Sequence, residues 1–366
     1  MEYNRDDSTQ PQGIPNQPKV RKTTSRRPAK KKSNPLKWTI IIIALIMLIG
    51  AFGFFCFHSY EGEDVWVKIP KGSTSADIKR LLTEKMGSSE ATRISMLWTL
   101  MRGEAEKAHG AYRISRGESS LRTARRLRNG AQTPITVTFN NIRTLDDLAK
   151  KIAEPMEFSA SDFIEACSNE LPGYGFDDKR TYPAAFLPDS YQFYWSSSAD
   201  KAVEKLLKHR NSFWNDTRRQ KAKALGLTPV QVSTLASIVE EESGKADERS
   251  TIARLYMNRL DKGMKLQADP TVKFALGNFT LRRILNKHLQ VPSPYNTYLN
   301  TGLPPGPIRI PEAATIDAVL DAPKNSYLYM CAREDFSGYH NFAVDYETHM
   351  ENARRYQAEL NKKGIK

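Results

Sequence analysis

The sequence predicts an α+β protein in which an N-terminal membrane helix precedes the folded part. Three observations support this fold class. Twenty residues without a charge run from Trp38 to Phe57. Alternating apolar residues lead into helical patterns at 65–82 and again at 135–152, and a strongly signalled helix begins near Thr228. At 366 residues the chain exceeds one average domain, so about two folded units are expected.

Residues 1–37 are predicted to form a disordered, basic tail. Ten Lys and Arg residues against three acidic residues give this segment a net charge of +7, half of the +14 of the whole chain. Large apolar side chains are almost absent, so the tail cannot offset the entropic cost of ordering. Nucleic-acid binding is one interpretation of such a segment. Its position beside an apolar helix favours attraction to anionic lipid instead, and no nucleic-acid partner is expected.

Residues 38–57 are predicted to form a single transmembrane helix, because twenty residues at about 1.5 Å each cross a hydrocarbon core of roughly 30 Å. A cleaved signal peptide is the alternative, but its charged region would be shorter and no small-residue cleavage site follows. Basic residues precede the helix, while Glu61, Glu63 and Asp64 follow it. The positive-inside rule therefore places the N-terminus in the cytoplasm and the large C-terminal part outside the inner membrane.

Residues 62–156 contain two copies of a strand-helix pattern, VWVKIPKGSTSADIKRLL and ITVTFNNIRTLDDLAKKI, which are offset by 70 positions. A capping signal, Thr74 with Asp77 or Thr144 with Asp147, follows each strand. A third version spans 111–127. Such modules resemble LysM-like domains, which bind glycan chains, and an α/β spacer without a ligand is an equally weighted alternative.

The helix that begins at Thr228 carries the first catalytic candidate. Thr228 as N-cap, the proline after it and a glutamine three residues after the cap all signal a helix start, and the helix is expected to reach about Ser243. On a helical wheel Glu242 lies on the apolar side, Glu241 on the solvent side and Glu240 at the border.

Burial of the Glu242 carboxyl would raise its pKa and make it a proton donor near neutral pH. The alternative of equal weight is a buried glutamate paired with an arginine such as Arg249 or Arg254.

Three long blocks, LASIVEEESG (235–244), IARLYMNRLDKGMKLQADPTV (252–272) and SPYNTYLNTGLPPGPI (293–308), resemble the YceG-like family of endolytic murein transglycosylases. Shorter agreements are FLPDSY (186–191), YLYMCA (327–332) and HNF (340–342). The resemblance implies a mixed α/β catalytic domain over 157–366. Two residues depart from the family pattern, Ala268 and Ser243, each where threonine is more common. A hydroxyl missing at Ala268 could shift substrate contacts.

The resemblance implies a reaction with one glutamate and no metal or cofactor. Glu242, immediately before Ser243, matches the catalytic glutamate of the family, with Glu240 as the alternative. As acid and then base it would cut the MurNAc–GlcNAc β-1,4 bond of peptidoglycan and leave 1,6-anhydro ends. The candidate substrate-binding residues are Asn258, Gln267, Asp269, Tyr295, Asn296, Tyr298, Asp189 and Phe342. Ordinary packing is the alternative for the tyrosines.

The family resemblance also implies a role and partners, namely cutting nascent strands to end glycan elongation, near penicillin-binding proteins. Two other functions stay open. One is a non-catalytic, membrane-anchored glycan-binding scaffold, and the other is a hydrolase with Asp269 as second carboxylate. The loop 302–307 is expected at the edge of a cleft. Because Cys56 lies within the span, Cys167 and Cys331 form the only possible disulfide pair, and the sequence does not say whether they meet.

Overall fold

The capped strand-helix patterns fold as two repeats with the same order of elements. In the computed structural model, which describes residues 34–281 and 283–364, the first repeat contains two strands and three helices. Its elements are β1 (Val65–Ile69), α2 (Ser75–Met86), α3 (Ser88–Leu100), β2 (Gly110–Ile114) and α4 (Ser120–Asn129). The strands pair antiparallel, with Val67 opposite Tyr112. Thr74 and Asp77 form the predicted capping box, which explains why α2 begins at Ser75.

The second repeat follows directly. Its elements are β3 (Ile135–Phe139), α5 (Leu145–Ala153), α6 (Ala160–Glu170), β4 (Asp189–Phe193) and α7 (Ala199–Phe213). Its strands also pair antiparallel, with Val137 opposite Tyr191. The predicted strands and capped helices lie at the predicted offset of 70. The third version at 111–127 is not a separate unit, because its strand β2 closes the first repeat as β4 closes the second. Whether either repeat is LysM-like remains a prediction.

The core of the second repeat joins residues that are far apart in sequence. It extends from Val137 to Leu207 and also includes Ile310. The backbone N–H of Ile310 donates a 2.8 Å hydrogen bond to the carbonyl of Ile142. The predicted domain boundary after residue 156 falls within this core.

The C-terminal part is mainly helical and ends with a small hairpin and a long helix. Its helices are α8 (Asp216–Ala224), α9 (Pro229–Glu242), α10 (Arg249–Asp261), α11 (Asp269–Ala275), α12 (Ala313–Leu320) and α13 (Tyr346–Lys362). The hairpin strands β5 (Tyr329–Ala332) and β6 (His340–Ala343) are antiparallel. Helix α9 begins with the predicted capping box of Thr228 and Gln231, and it packs against α10, α11 and α12.

The N-terminal helix α1 spans Pro35–Phe57 and is long and apolar enough to cross a membrane. Its large side chains are exposed, for example Leu48 at 71%. The predicted start at Trp38 is three residues inside the helix. Most of the predicted tail, residues 1–33, lies outside the described residues.

All three cysteines are free. Cys167 is buried in the core of the second repeat, while Cys331 lies on β5 of the C-terminal hairpin. These two cysteines therefore form no disulfide in this structure.

The proline-rich loop 302–307 is anchored by a close backbone approach. A Cβ added at Gly306 would lie 1.9 Å from the carbonyl oxygen of Arg180, so only glycine fits at this position. The loop does not border the cleft that contains Glu242. Its residues Gly302–Pro305 line a separate groove of about 840 Å³, beside the loop that follows α8.

Candidate active site

Glu242, the last residue of α9, opens into a cleft of about 360 Å³. The Tyr256 hydroxyl, on the neighbouring helix α10, donates a hydrogen bond of 2.7 Å to Oε1 of Glu242. Oε2 accepts no hydrogen bond from residues 34–281 or 283–364, which leaves it available to a ligand. The cleft is lined by Glu242, Leu255, Tyr256, Arg259, Leu266, Gln267, Asp269, Tyr298, Met330, Cys331, Ala332, His340 and His349.

The surroundings of Glu242 favour the protonated form of its carboxyl. Burial raises its pKa to about 7, and the negative charges of Asp269 and Glu241 act in the same direction. The hydrogen bond from Tyr256 and the charge of Lys273 oppose this rise. Glu242 has no arginine ion-pair partner in the described part of the chain. A carboxyl with this pKa can donate and accept a proton near neutral pH.

The alternative interpretation of Glu242 was a buried glutamate that pairs with an arginine. In the structure this description fits Glu240 and not Glu242. Glu240 is 7% exposed and lies 3.0 Å from Nη2 of Arg309. Its Oε2 accepts hydrogen bonds from the backbone N–H of Glu312 at 2.9 Å and from the Thr315 hydroxyl at 2.6 Å. Glu240, the alternative catalytic residue, does not line the cleft. Its contacts with Arg309, Glu312 and Thr315 give it a structural role.

The helical wheel predicted Glu241 on the solvent side of α9, but in the structure Glu241 contacts protein. Its carboxylate receives hydrogen bonds from Arg143 at 2.9 Å and from Arg309 at 2.7 Å. The periodicity misleads because α9 is buried on all sides from Val232 to Glu240. The side chains of Arg143, Glu241, Arg309 and Glu240 form a continuous chain of ion pairs, which we call the ion chain.

Gln267, Asp269 and Tyr298, three of the predicted substrate-binding residues, line the same cleft as Glu242. The Tyr298 hydroxyl donates a 2.6 Å hydrogen bond to Oδ1 of Asp269. Gln267 has a φ of 52°, a conformation that non-glycine residues rarely adopt, and its Oε1 accepts a 3.3 Å hydrogen bond from Nη1 of Arg259. The structure thus brings together side chains from two of the sequence blocks in the cleft that Glu242 lines.

The Thr297 side chain links those two blocks through hydrogen bonds. Its Oγ1 accepts a 3.0 Å hydrogen bond from the backbone N–H of Ala268 and lies 2.8 Å from Oγ1 of Thr271. Ala268 is 0% exposed. The hydroxyl that is missing at Ala268 would therefore point into protein, and the expected shift of substrate contacts has no basis in this geometry.

Two predicted substrate-binding amides are engaged elsewhere. Asn258 Nδ2 donates to the carbonyls of Asn325 at 2.9 Å and Tyr327 at 3.0 Å. Asn296 is 0% exposed, and its Nδ2 donates to the carbonyls of Leu289 and Val291 at 2.9 Å each. Both side chains hold loops in place and do not line the cleft.

Three further predicted residues also lie outside the cleft lining. Tyr295 packs on Phe274, with ring centroids 4.6 Å apart. Phe342 packs on Tyr327 at 5.4 Å. Asp189 lies on β4 of the second repeat, and its Oδ2 is 3.1 Å from Nε2 of His209.

Four polar residues of the cleft were not predicted from the sequence, namely Tyr256, Arg259, His340 and His349. Tyr256 and Arg259 are three positions apart and so share one face of α10, a spacing that could have signalled a common role. His340 stands within the HNF match, but nothing local links it to Glu242. Within the described ranges, no group of three or more His, Cys, Asp or Glu residues could hold a metal ion.

Comparisons with known proteins agree with the similarity seen in the sequence blocks. The model of the YceG-like family matches residues 67–355. The endolytic murein transglycosylase of Bacillus subtilis is 29% identical over 286 residues, which cover 74% of this chain and 79% of that protein. The enzyme of the same name from Streptococcus pneumoniae D39 is 25% identical over 335 residues. This match covers 80% of the present chain and 60% of the streptococcal protein.

A solved structure supports the same assignment. The 2.6 Å crystal structure of a YceG-like protein from Listeria monocytogenes matches with a TM-score of 0.53 and 26% identity. The match covers 79% of this chain and 98% of the Listeria chain. Since the family model spans well over half of the sequence and includes Glu242 and the cleft, the chain belongs to the YceG-like family.

Proposed function

We propose that this protein is an endolytic lytic transglycosylase that cuts the MurNAc–GlcNAc β-1,4 bond of peptidoglycan strands. The observation that carries the proposal is the Glu242 carboxyl. It belongs to the cleft lining, has no cationic ion-pair partner among residues 34–281 and 283–364, and has a pKa raised to about 7. The names of the bacillary and streptococcal relatives support the same activity.

In the proposed reaction Glu242 acts first as acid and then as base. Its proton passes to the glycosidic oxygen as the bond from that oxygen to C1 of MurNAc breaks. The resulting carboxylate then takes the proton of the C6 hydroxyl while O6 bonds to C1, which gives a 1,6-anhydro end and restores the acid. Tyr256 holds Oε1, so Oε2 is the oxygen that exchanges protons with the substrate.

Asp269 is the residue that a hydrolytic mechanism would use as second carboxylate. It lies in the same cleft, and its Oδ1 accepts the hydrogen bond from Tyr298. A hydrolase would add water to the product, whereas a lytic enzyme does not, so product mass separates the two reactions.

We propose that α1 anchors the protein in the inner membrane with its N-terminus in the cytoplasm and the cleft outside. The length and apolar character of the helix support the anchor, and the charges that flank it support the orientation. The anchor would keep the cleft near newly made strands, where cutting ends elongation and penicillin-binding proteins work. In this proposal the two repeats contact the glycan strand.

The test uses the full-length chain in detergent and uncrosslinked glycan strands. Wild type, Glu242→Gln and the exposed control Glu351→Gln on α13 are compared by mass spectrometry of the products. We expect anhydro ends from wild type and the control, and a loss of at least about 1,000-fold in Glu242→Gln. Hydrated ends would indicate a hydrolase. Binding without any product from wild type would favour the scaffold function.

A further inference from the structure

A glutamate-histidine pair lies at the wall of the same cleft, and the reaction described above does not use it. Glu248 is 7% exposed and ends the short 3₁₀ turn Ala246–Glu248. Its Oε1 accepts a 2.8 Å hydrogen bond from the backbone N–H of His340, and its Oε2 lies 3.0 Å from Nδ1 of the same residue. Two contacts with one carboxylate therefore fix both the backbone and the ring of His340.

The same carboxylate also contacts the end of the helix that carries Glu242. The hydroxyl of Ser243 donates a 3.3 Å hydrogen bond to Oε2 of Glu248 and accepts a 3.0 Å bond from the backbone N–H of Lys245. Ser243 directly follows Glu242. Glu248 thus fixes the position of His340 relative to Glu242, although His340 and Glu242 are 98 positions apart in the sequence.

The other ring nitrogen of His340, Nε2, belongs to a side chain that lines the cleft. This nitrogen has no hydrogen-bond partner in the described parts of the chain. Because the acceptor Glu248 lies against Nδ1, the proton of a neutral ring belongs on Nδ1, and Nε2 presents a lone pair. A ring fixed in this way is suited to contact a hydroxyl or amide N–H of a ligand.

We propose that His340 is a further substrate-binding residue, whose Nε2 accepts a hydrogen bond from a sugar hydroxyl or acetamido N–H, and that Glu248 is its positioning residue. The proposal rests on the proposed function, because it takes a glycan strand as the ligand. The competing explanation is purely structural: the pair would only tie β6 to the turn after α9.

The experiment separates these explanations in the full-length chain. Michaelis constants and turnover are measured with soluble, uncrosslinked glycan strands for His340→Ala, His340→Gln, Glu248→Gln and Glu248→Gln/His340→Ala. The control is His288→Gln, in the turn His288–Gln290, which lies outside the cleft lining and outside both repeats. We expect His340→Ala to lower kcat/KM about tenfold, the value of one hydrogen bond. His340→Gln should recover part of this loss, because its terminal amide reaches toward the position of Nε2.

Glu248→Gln should lower kcat/KM by a smaller factor, and the double variant should be no worse than His340→Ala alone, because Glu248 acts through the ring. Wild-type kinetics in correctly folded His340→Ala would overturn the proposal. Losses of kcat/KM that follow only the thermal stability of the variants would also overturn it.

Binding of the same strands to Glu242→Gln, with and without His340→Ala, needs no catalysis. If wild type cuts nothing, the proposed function fails. The binding comparison still tests His340, and equal dissociation constants would refute its role.

Discussion

The hydroxyl of Tyr256 donates a hydrogen bond of 2.7 Å to Oε1 of Glu242, a residue that lines the cleft. One oxygen of the proposed catalytic carboxyl is therefore held by protein, while Oε2 has no hydrogen-bond partner among the described residues. The bond also has an electrostatic effect. It stabilises the ionised form, while burial and the nearby Asp269 stabilise the protonated form, and the outcome is a pKa of about 7.

Tyr256→Phe should move the pH dependence of cleavage upward. Without the hydroxyl, the pKa of Glu242 rises further, so the acid stays protonated to higher pH and the alkaline limb of kcat/KM shifts to higher pH. Lost positioning should lower the maximum about tenfold. The measurement is a pH-rate profile with Tyr174→Phe, an exposed tyrosine, as control. An unchanged alkaline limb would mean that Tyr256 does not influence the acid.

Glu242→Gln should stabilise the protein at alkaline pH. The folded pKa of Glu242, about 7, is raised from the usual 4.5, so its contribution to stability is fully present below pH 4.5 and is lost as pH rises through 7. At about 1.4 kcal/mol per pKa unit, the variant gains up to roughly 3 kcal/mol at pH 8. The gain should vanish at pH 4. Urea unfolding at both pH values measures this, and equal stabilities at pH 8 would contradict the raised pKa.

Glu240→Gln should lower the stability of the protein and leave its catalytic activity nearly unchanged. It removes one of the two carboxylate partners of the buried Arg309 guanidinium, which keeps Glu241, and it weakens the contacts to Glu312 and Thr315. We therefore expect a loss of about 1–3 kcal/mol in unfolding free energy. Activity per folded molecule should stay within about twofold of wild type, as expected for a residue outside the cleft. A stable but inactive Glu240→Gln protein would instead make Glu240 the catalytic residue.

Gly306→Ala should destabilise the protein by about 3 kcal/mol or more, because the new Cβ meets the Arg180 carbonyl at 1.9 Å and backbone must move. Gly244→Ala is the matched control. A Cβ there meets nothing within 4 Å, and we expect a change within about 0.5 kcal/mol. Thermal unfolding of both variants compares them, and equal melting temperatures would show that the loop relaxes freely.

The elements with local signals were predictable from sequence. The strands β1 and β3 show alternation, and capping boxes mark the starts of α2, α5 and α9. Helix α3 begins after Gly87 without a side-chain cap, so it has no such start signal. Helix α6 does have one, a capping box of Ser159 with Asp162, which could have been recognised.

The site was predictable only in part, because periodicity along one helix says little about partners that are distant in sequence. The wheel placed Glu242 toward the protein interior, but it placed Glu241 in solvent, where the structure has two arginines. Tyr256 and His340 reach the cleft through the packing of α10 and the hairpin, which no local pattern encodes. Asn258 and Asn296 have residue types that suit sugar binding, yet tertiary contacts occupy their amides.

The ion chain has a consequence for how the protein can be rearranged. Arg143 precedes helix α5 of the second repeat, while Glu241 is the immediate neighbour of Glu242. Ile310 adds a second attachment, since it lies in the core of that repeat. The second repeat therefore cannot simply be replaced by the corresponding segment of another protein. A chimera that replaces it must supply a guanidinium at position 143 and an apolar pocket for Ile310. Without them, helix α9, which carries the proposed acid, loses these stabilising contacts.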